Sequence, residues 1–182
     1  DLLSDWRVFW RDVFGIEADF SSLRIPEKKK GFDRLLVIAQ GMMPQQLFDK
    51  CQELFPCWKW TGQSLDEVID SSQAERSANE AAYAVWVRER VEADEELKNL
   101  SAEDVKKKII PTITMEERVV YGLKHFKETG KHLDVRNITL CAGSRYRVGG
   151  VPGVCWSDGG LHVYCCGPRP AYPSVRARAV VS

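Results

Sequence analysis

Three cysteines and a histidine in "GVPGVCWSDGGLHVYCCG", residues 150–167, are the first groups that could do chemistry. Cys155 or Cys165 with His162 would make a thiol nucleophile and its base. Such a pair defines one candidate, a small cysteine/histidine-dependent enzyme. The acidic run "VEADEEL" brings Glu92, Glu95 and Glu96 together, as a hard cation would need, but lacks the oxygen spacing of an EF-hand and reads as a solvated segment. Neither the Cys51/Cys57 spacing nor the adjacent Cys165/Cys166 pair matches a zinc knuckle. The six cysteines are therefore expected as small buried or surface thiols, with a Cys51–Cys57 bridge or another disulfide as the alternative. No G-x-x-x-x-G-K-[ST], H-E-x-x-H or G-x-S-x-G occurs. "GGVPGV" precedes no helical pattern and makes no phosphate cradle. No metal or cofactor site is expected.

The elements that must position these residues change character along the chain. A helix is expected from a Ser4 cap to Phe14, with Trp6, Phe9, Val13 and Phe14 on one stripe and Gly15 ending it. "RLLVIAQG" reads as a buried strand. Pro44 opens a helix with Leu47, Cys51 and Leu54 on one face, closed by Pro56. "CWKWTG" and "AAYAVWVRER" are strand candidates, a helix being the alternative for the second. Ser101–Asp104 starts a short lysine-ending helix. Thr114–Glu117 is a capping box for a helix carrying Met115, Val119, Val120, Leu123 and Phe126, stopped at Gly130. His125 and His132 lie near its end, where an imidazolium would suit the dipole. From Leu133 onward come short strands separated by Gly, Pro and Asp-Gly turns. The expectation is α+β: helices packed on a small antiparallel sheet, in one domain over 1–182.

Net charge is zero, so no basic field points to nucleic acid or an anionic membrane. The Arg24–Arg34 cluster reads as a solvated loop. No run of about 18 apolar residues marks a membrane span, and "DLLSDWRVFW" lacks a signal-peptide pattern. The absence of an initiator methionine leaves an export signal ahead of Asp1 open.

The sharpest feature is compositional. Residues 1–143 hold 12 Lys, 14 Glu, 6 Gln and 3 Met. Residues 144–182 hold none, where the upstream rate would place about nine or ten. Strands disfavour Lys and Glu, but not enough to empty a tail that keeps its arginines. The break follows strand alternation. Val154, Trp156, Leu161, Val163 and also Cys165 form an ordinary inward set, whereas Gly153, Cys155, Ser157, His162, Tyr164 and Cys166 share no property.

"VEADEELKNLSA", "ETGKHLDVRNITLCAGSRY", "GGVPGVCW", "RARAVVS" and "FWRDVFGIEADFSSLRIPEKK" resemble the variable proteins of diversity-generating retroelements from nanoarchaea and candidate-phylum bacteria. In that family a reverse transcriptase copies a template with errors at adenines and the copy overwrites the gene's 3′ end. AAC and AAT codons then become codons that encode Gly, Cys, Ser, His, Tyr, Arg, Val, Ala, Pro or Asp, among others, but never Lys, Glu, Gln, Met or Trp. The resemblance implies a C-type-lectin fold of the subclass shared with formylglycine-generating enzymes, with 1–143 mostly scaffold and 144–182 variable. It implies a non-enzymatic protein that binds a macromolecular ligand, expected to be a protein, and leaves open whether it is displayed on a cell, on a virion or on neither. The implied contact residues are Tyr146, Arg147, Val148, Gly153, Cys155, Ser157, Gly160, His162, Tyr164, Cys166, Gly167, Arg169, Ala171 and Tyr172. Gly149, Gly150, Pro152, Val154, Trp156, Leu161, Val163 and Arg178 fall to scaffold. The chain departs from other lectin-fold proteins in lacking a G-G-S-W signature, a matching catalytic cysteine arrangement, and the E-P-N or Q-P-D calcium–sugar motif.

Overall fold

A computed structural model describes residues 1–182 and gives an α+β molecule of five helices and two sheets. Helix α1 (Leu2–Phe14) starts earlier than expected, because the Asp1 carboxylate takes the Leu3 N–H and leaves Ser4 inside the helix. Trp6, Phe9 and Trp10 form its buried stripe, and the Trp10 indole donates to Val37 O at 3.0 Å. Strand β1 (Arg34–Ile38) is the expected buried run. It pairs antiparallel with β3 (Tyr83–Val87), which settles that segment as strand. Between them lie α2 (Pro44–Leu54), β2 (Cys57–Lys59) and the single turn α3 (Leu65–Val68). Leu54 is solvent-exposed, so the buried face of α2 is Leu47, Phe48 and Cys51.

Both expected capping boxes form, Ser101/Asp104 on α4 (Ala102–Lys107) and Thr114/Glu117 on α5 (Met115–Thr129). Gly130 closes α5 in the left-handed region. After α5 come β4 (Ile138–Leu140), β5 (Val151–Ser157), β6 (Gly160–Cys166) and β7 (Val175–Arg176). The larger sheet has the order β2-β6-β5-β4-β7. It is mixed rather than purely antiparallel: β2 joins β6 parallel at one edge and β7 joins β4 parallel at the other. The β2 contact spans about a hundred residues of sequence, which local patterning does not encode.

Beyond β7 the chain leaves the sheet. Ala179 bridges to Thr112, and Val181 exchanges backbone hydrogen bonds of 2.9 Å with Trp86, so the tail ties the two sheets together. Under this crossing sits a buried ionic junction. Asp134 accepts from Arg118 Nε at 2.7 Å, from Arg178 Nη2 at 2.8 Å, and from the Thr139 hydroxyl. Arg178 also donates to Thr139 Oγ1 and to the carbonyls of Arg90 and Val91. All four polar residues are essentially inaccessible, and so many partners are what permit charges at that depth. The Asp134 carbonyl accepts from Trp156 N at 3.0 Å, which fixes β5 on this junction. Gly143 lies where a Cβ would stand 2.5 Å from the Thr112 carbonyl oxygen, so only glycine lets the chain pass there.

Candidate functional site

The β5–β6 hairpin turns at Asp158-Gly159, both with positive φ, a two-residue loop that suits the strand twist. Its register pairs Val154 with Val163 and Trp156 with Leu161 on one face, and Gly153 with Tyr164 and Cys155 with His162 on the other. The first face is core: Val154, Leu161 and Val163 are buried. Trp156 stacks on the His132 ring at 3.4 Å between centroids, 3° from parallel, with Phe126 also stacked on His132 at 5.0 Å and Phe55 edge-on. The His132 ring is thus engaged in this aromatic stack. Burial pushes the pKa of both His125 and His132 below the ordinary value, which favours neutral rings.

The second face is open at one end and covered at the other. Val151 belongs to a second buried cluster with Leu97, Val105, Leu140 and Ala177, and Cys166 packs partly against it. Toward the hairpin tip the face is half-open. There His162 and Tyr164 stack 5.7 Å apart, and the Tyr164 hydroxyl meets His162 Nδ1 at 3.3 Å. Trp58 from β2 stands beside them, 5.7 Å from His162 and 5.4 Å from Tyr164, with 48% of its surface exposed. Three aromatic rings from two strands thus form one solvent-facing cluster. Sequence reading gave Trp58 no such place, since only the parallel β2–β6 register brings it there.

The fourteen implied contact residues divide three ways. Arg147, Val148, Gly167, Arg169, Ala171 and Tyr172 are exposed, all on the loops preceding β5 and following β6. Ser157, His162, Tyr164 and Cys166 are half-buried on the hairpin. The other four are buried and cannot be displayed as they stand. Tyr146 is wholly inaccessible, its ring against Trp60 and its hydroxyl donating to Tyr164 O. Cys155 is 5% exposed beneath its strand neighbours. Gly153 is packed so closely that a Cβ would meet Cys166 Sγ at 2.6 Å, and Gly160 so that one would meet the Pro56 carbonyl oxygen at 3.0 Å. Among residues assigned to scaffold, Arg178 is fully buried, whereas Gly149 is exposed. Cys165, expected inward, is exposed, because the strand has reached the end of the core there.

As a chemical centre the hairpin is poorly poised. Cys155 and His162 are cross-strand neighbours, but the Cys155 thiol donates to Ser157 Oγ at 3.9 Å and makes no hydrogen bond to His162. Burial raises the Cys155 and Cys165 pKa values, the reverse of an activated thiolate. Cys165 also projects from the strand face opposite His162. All six cysteines are free thiols, including Cys51 and Cys57. The acids of "VEADEEL" are structural: Glu92 accepts from the backbone N–H groups of Val135, Arg136 and Asn137, Glu95 pairs with Arg176 and Glu96 with Arg90. No three His, Cys, Asp or Glu residues converge as a metal site would require, and no helix is long and apolar enough to cross a membrane. No family model matches this chain, and comparison with curated proteins and with solved structures gives no match.

Proposed function

We propose that this chain is a non-enzymatic ligand-binding protein with a C-type-lectin fold, whose C-terminal surface is diversified by adenine-directed retroelement mutagenesis. The observation that carries the reading is the absence of Lys, Glu, Gln and Met from 144–182, together with the inward position of Trp156, a residue such mutagenesis does not write. Binding is by the Trp58–His162–Tyr164 cluster and the flanking loops that present Arg147, Val148, Arg169 and Tyr172. Exposed aromatic and arginine side chains among small residues are the composition of protein-binding surfaces, with rigid rings as anchors. A protein partner follows from that composition and from zero net charge, which offers nucleic acid no attraction. Trp58, upstream of the variable region, is the constant element beside the changing ones.

Sequencing the 3′ end of the gene across a population tests this. The expected result is substitution confined to codons aligned with template adenines, at His162, Tyr164 and the loop positions, with Val154, Leu161 and Val163 constant. Substitutions scattered along the gene and mostly synonymous would overturn it.

A further inference from the structure

A second concave site lies among the helices and shares no residue with the hairpin surface. It is formed where β1 ends, α2 begins and α5 starts, beneath the segment 74–79. Ile38, Met42, Met43 and Ile69 make apolar walls with the Tyr83 ring around a cavity of about 70 Å³ that opens to solvent. Every lining residue precedes position 144. The site therefore belongs to the constant part of the chain.

Its charges are unbalanced. Arg76 is the lone cation in the lining, and it is already engaged: its guanidinium donates to both oxygens of Glu117, at 2.6 and 3.2 Å, and to the Thr112 carbonyl. The Tyr83 hydroxyl is likewise held by Glu117 at 3.0 Å. Asp66 spends one oxygen on the Gln45 N–H. Glu116, next to the capping glutamate, is half-buried and pairs with no cation. Two carboxylates thus face an apolar pocket whose only positive charge is committed elsewhere. Burial, with Glu117 and Asp66 as like-charged neighbours, pushes the Glu116 carboxyl up to about 7, a penalty that an incoming cation relieves.

We propose that this pocket binds a small organic cation, an alkylamine with a short apolar body, with Glu116 as counter-ion, Asp66 as second acceptor, and Met42, Met43 and Tyr83 against the carbon chain. A metal ion is disfavoured by the thioether and aliphatic walls and by the lack of three converging ligands. An anion meets two carboxylates. A neutral apolar guest would cover the half-buried Glu116 carboxylate without bringing it a counter-charge.

Methionine-methyl NMR reads the site directly, since Met42 and Met43 line it while Met115 is buried and outside the lining. Hexylamine, hexanol and hexanoate serve as cationic, neutral and anionic probes of one length. Hexylamine is expected to shift the Met42 and Met43 methyls saturably, with Met115 little changed, and to bind more tightly as pH rises through about 7, where Glu116 ionises while the amine remains protonated. Glu116→Gln preserves side-chain size and should weaken hexylamine about tenfold or more. Ala74→Leu keeps the carboxylate but narrows the pocket, and should abolish binding even where Glu116→Gln fails to fold. Hexanol binding as tightly as hexylamine, no saturation at millimolar hexylamine, or affinity unchanged in both variants would overturn the proposal.

Discussion

The two faces of the β5–β6 hairpin are built to different standards, although they alternate residue by residue along the same strands. The inward face is tied at every level: Val154, Leu161 and Val163 to the main core, Trp156 to the His132 ring, and the Trp156 N–H to the carbonyl of Asp134 in the ionic junction. On the outward face, the half ending in Val151 and Cys166 is covered by the small second cluster, and the tip half carries the Trp58–His162–Tyr164 rings with no core cluster over them. The lesson is that display capacity is local. Sharing a strand face does not make residues equally replaceable, and Cys155 and Gly153 are packed directly across from His162 and Tyr164, which are half-open.

The contrast can be broken hardest at the junction. Asp134→Ala leaves Arg118 and Arg178 buried without their counter-charge and should cost about 3–5 kcal/mol in urea denaturation; a loss under about 1 kcal/mol would mean the ions do not anchor the hairpin. Leu161→Ala on the inward face should cost about 2–5 kcal/mol. Acid probes the same face more gently. His125 and His132 have folded pKa values below 6.5, so the stability their neutral rings provide is complete above that pH and is lost as pH falls through the folded values. His132→Phe should flatten that part of the stability–pH curve, and a curve that keeps its slope would place the titration elsewhere. The smallest effect belongs to the open tip: His162→Ala or Tyr164→Ala should change stability by no more than about 0.2–1 kcal/mol, the worth of a cross-strand pair, as thermal melting would show.

Much of the architecture was legible because it rests on local chemistry. Thr114 with Glu117 and Ser101 with Asp104 cap their helices through side chains three residues apart, and Pro44, Gly15 and Gly130 punctuate through fixed backbone preference. The hairpin alternation was likewise readable from residues 150–167 alone. What escaped depends on distant partners. The parallel seating of β2 against β6 supplies Trp58, the fold of residues 145–150 over α3 buries Tyr146, and the Pro56 carbonyl closes over Gly160. Alternation also overextends at strand ends: at Cys165 the core has run out, so the inward-facing position meets solvent.

The most direct test of the central claim compares two randomised libraries in one display format. One varies Val148, Ser157, His162, Tyr164, Arg169 and Tyr172; the other varies Val154, Trp156, Leu161 and Val163. Both are read by protease resistance and then by selection for binding to a panel of proteins. The account predicts that most members of the first library remain folded and yield binders, whereas the second is largely unfolded and yields none. Equal loss of folding in the two libraries, or a stable first library that never yields a binder, would contradict it.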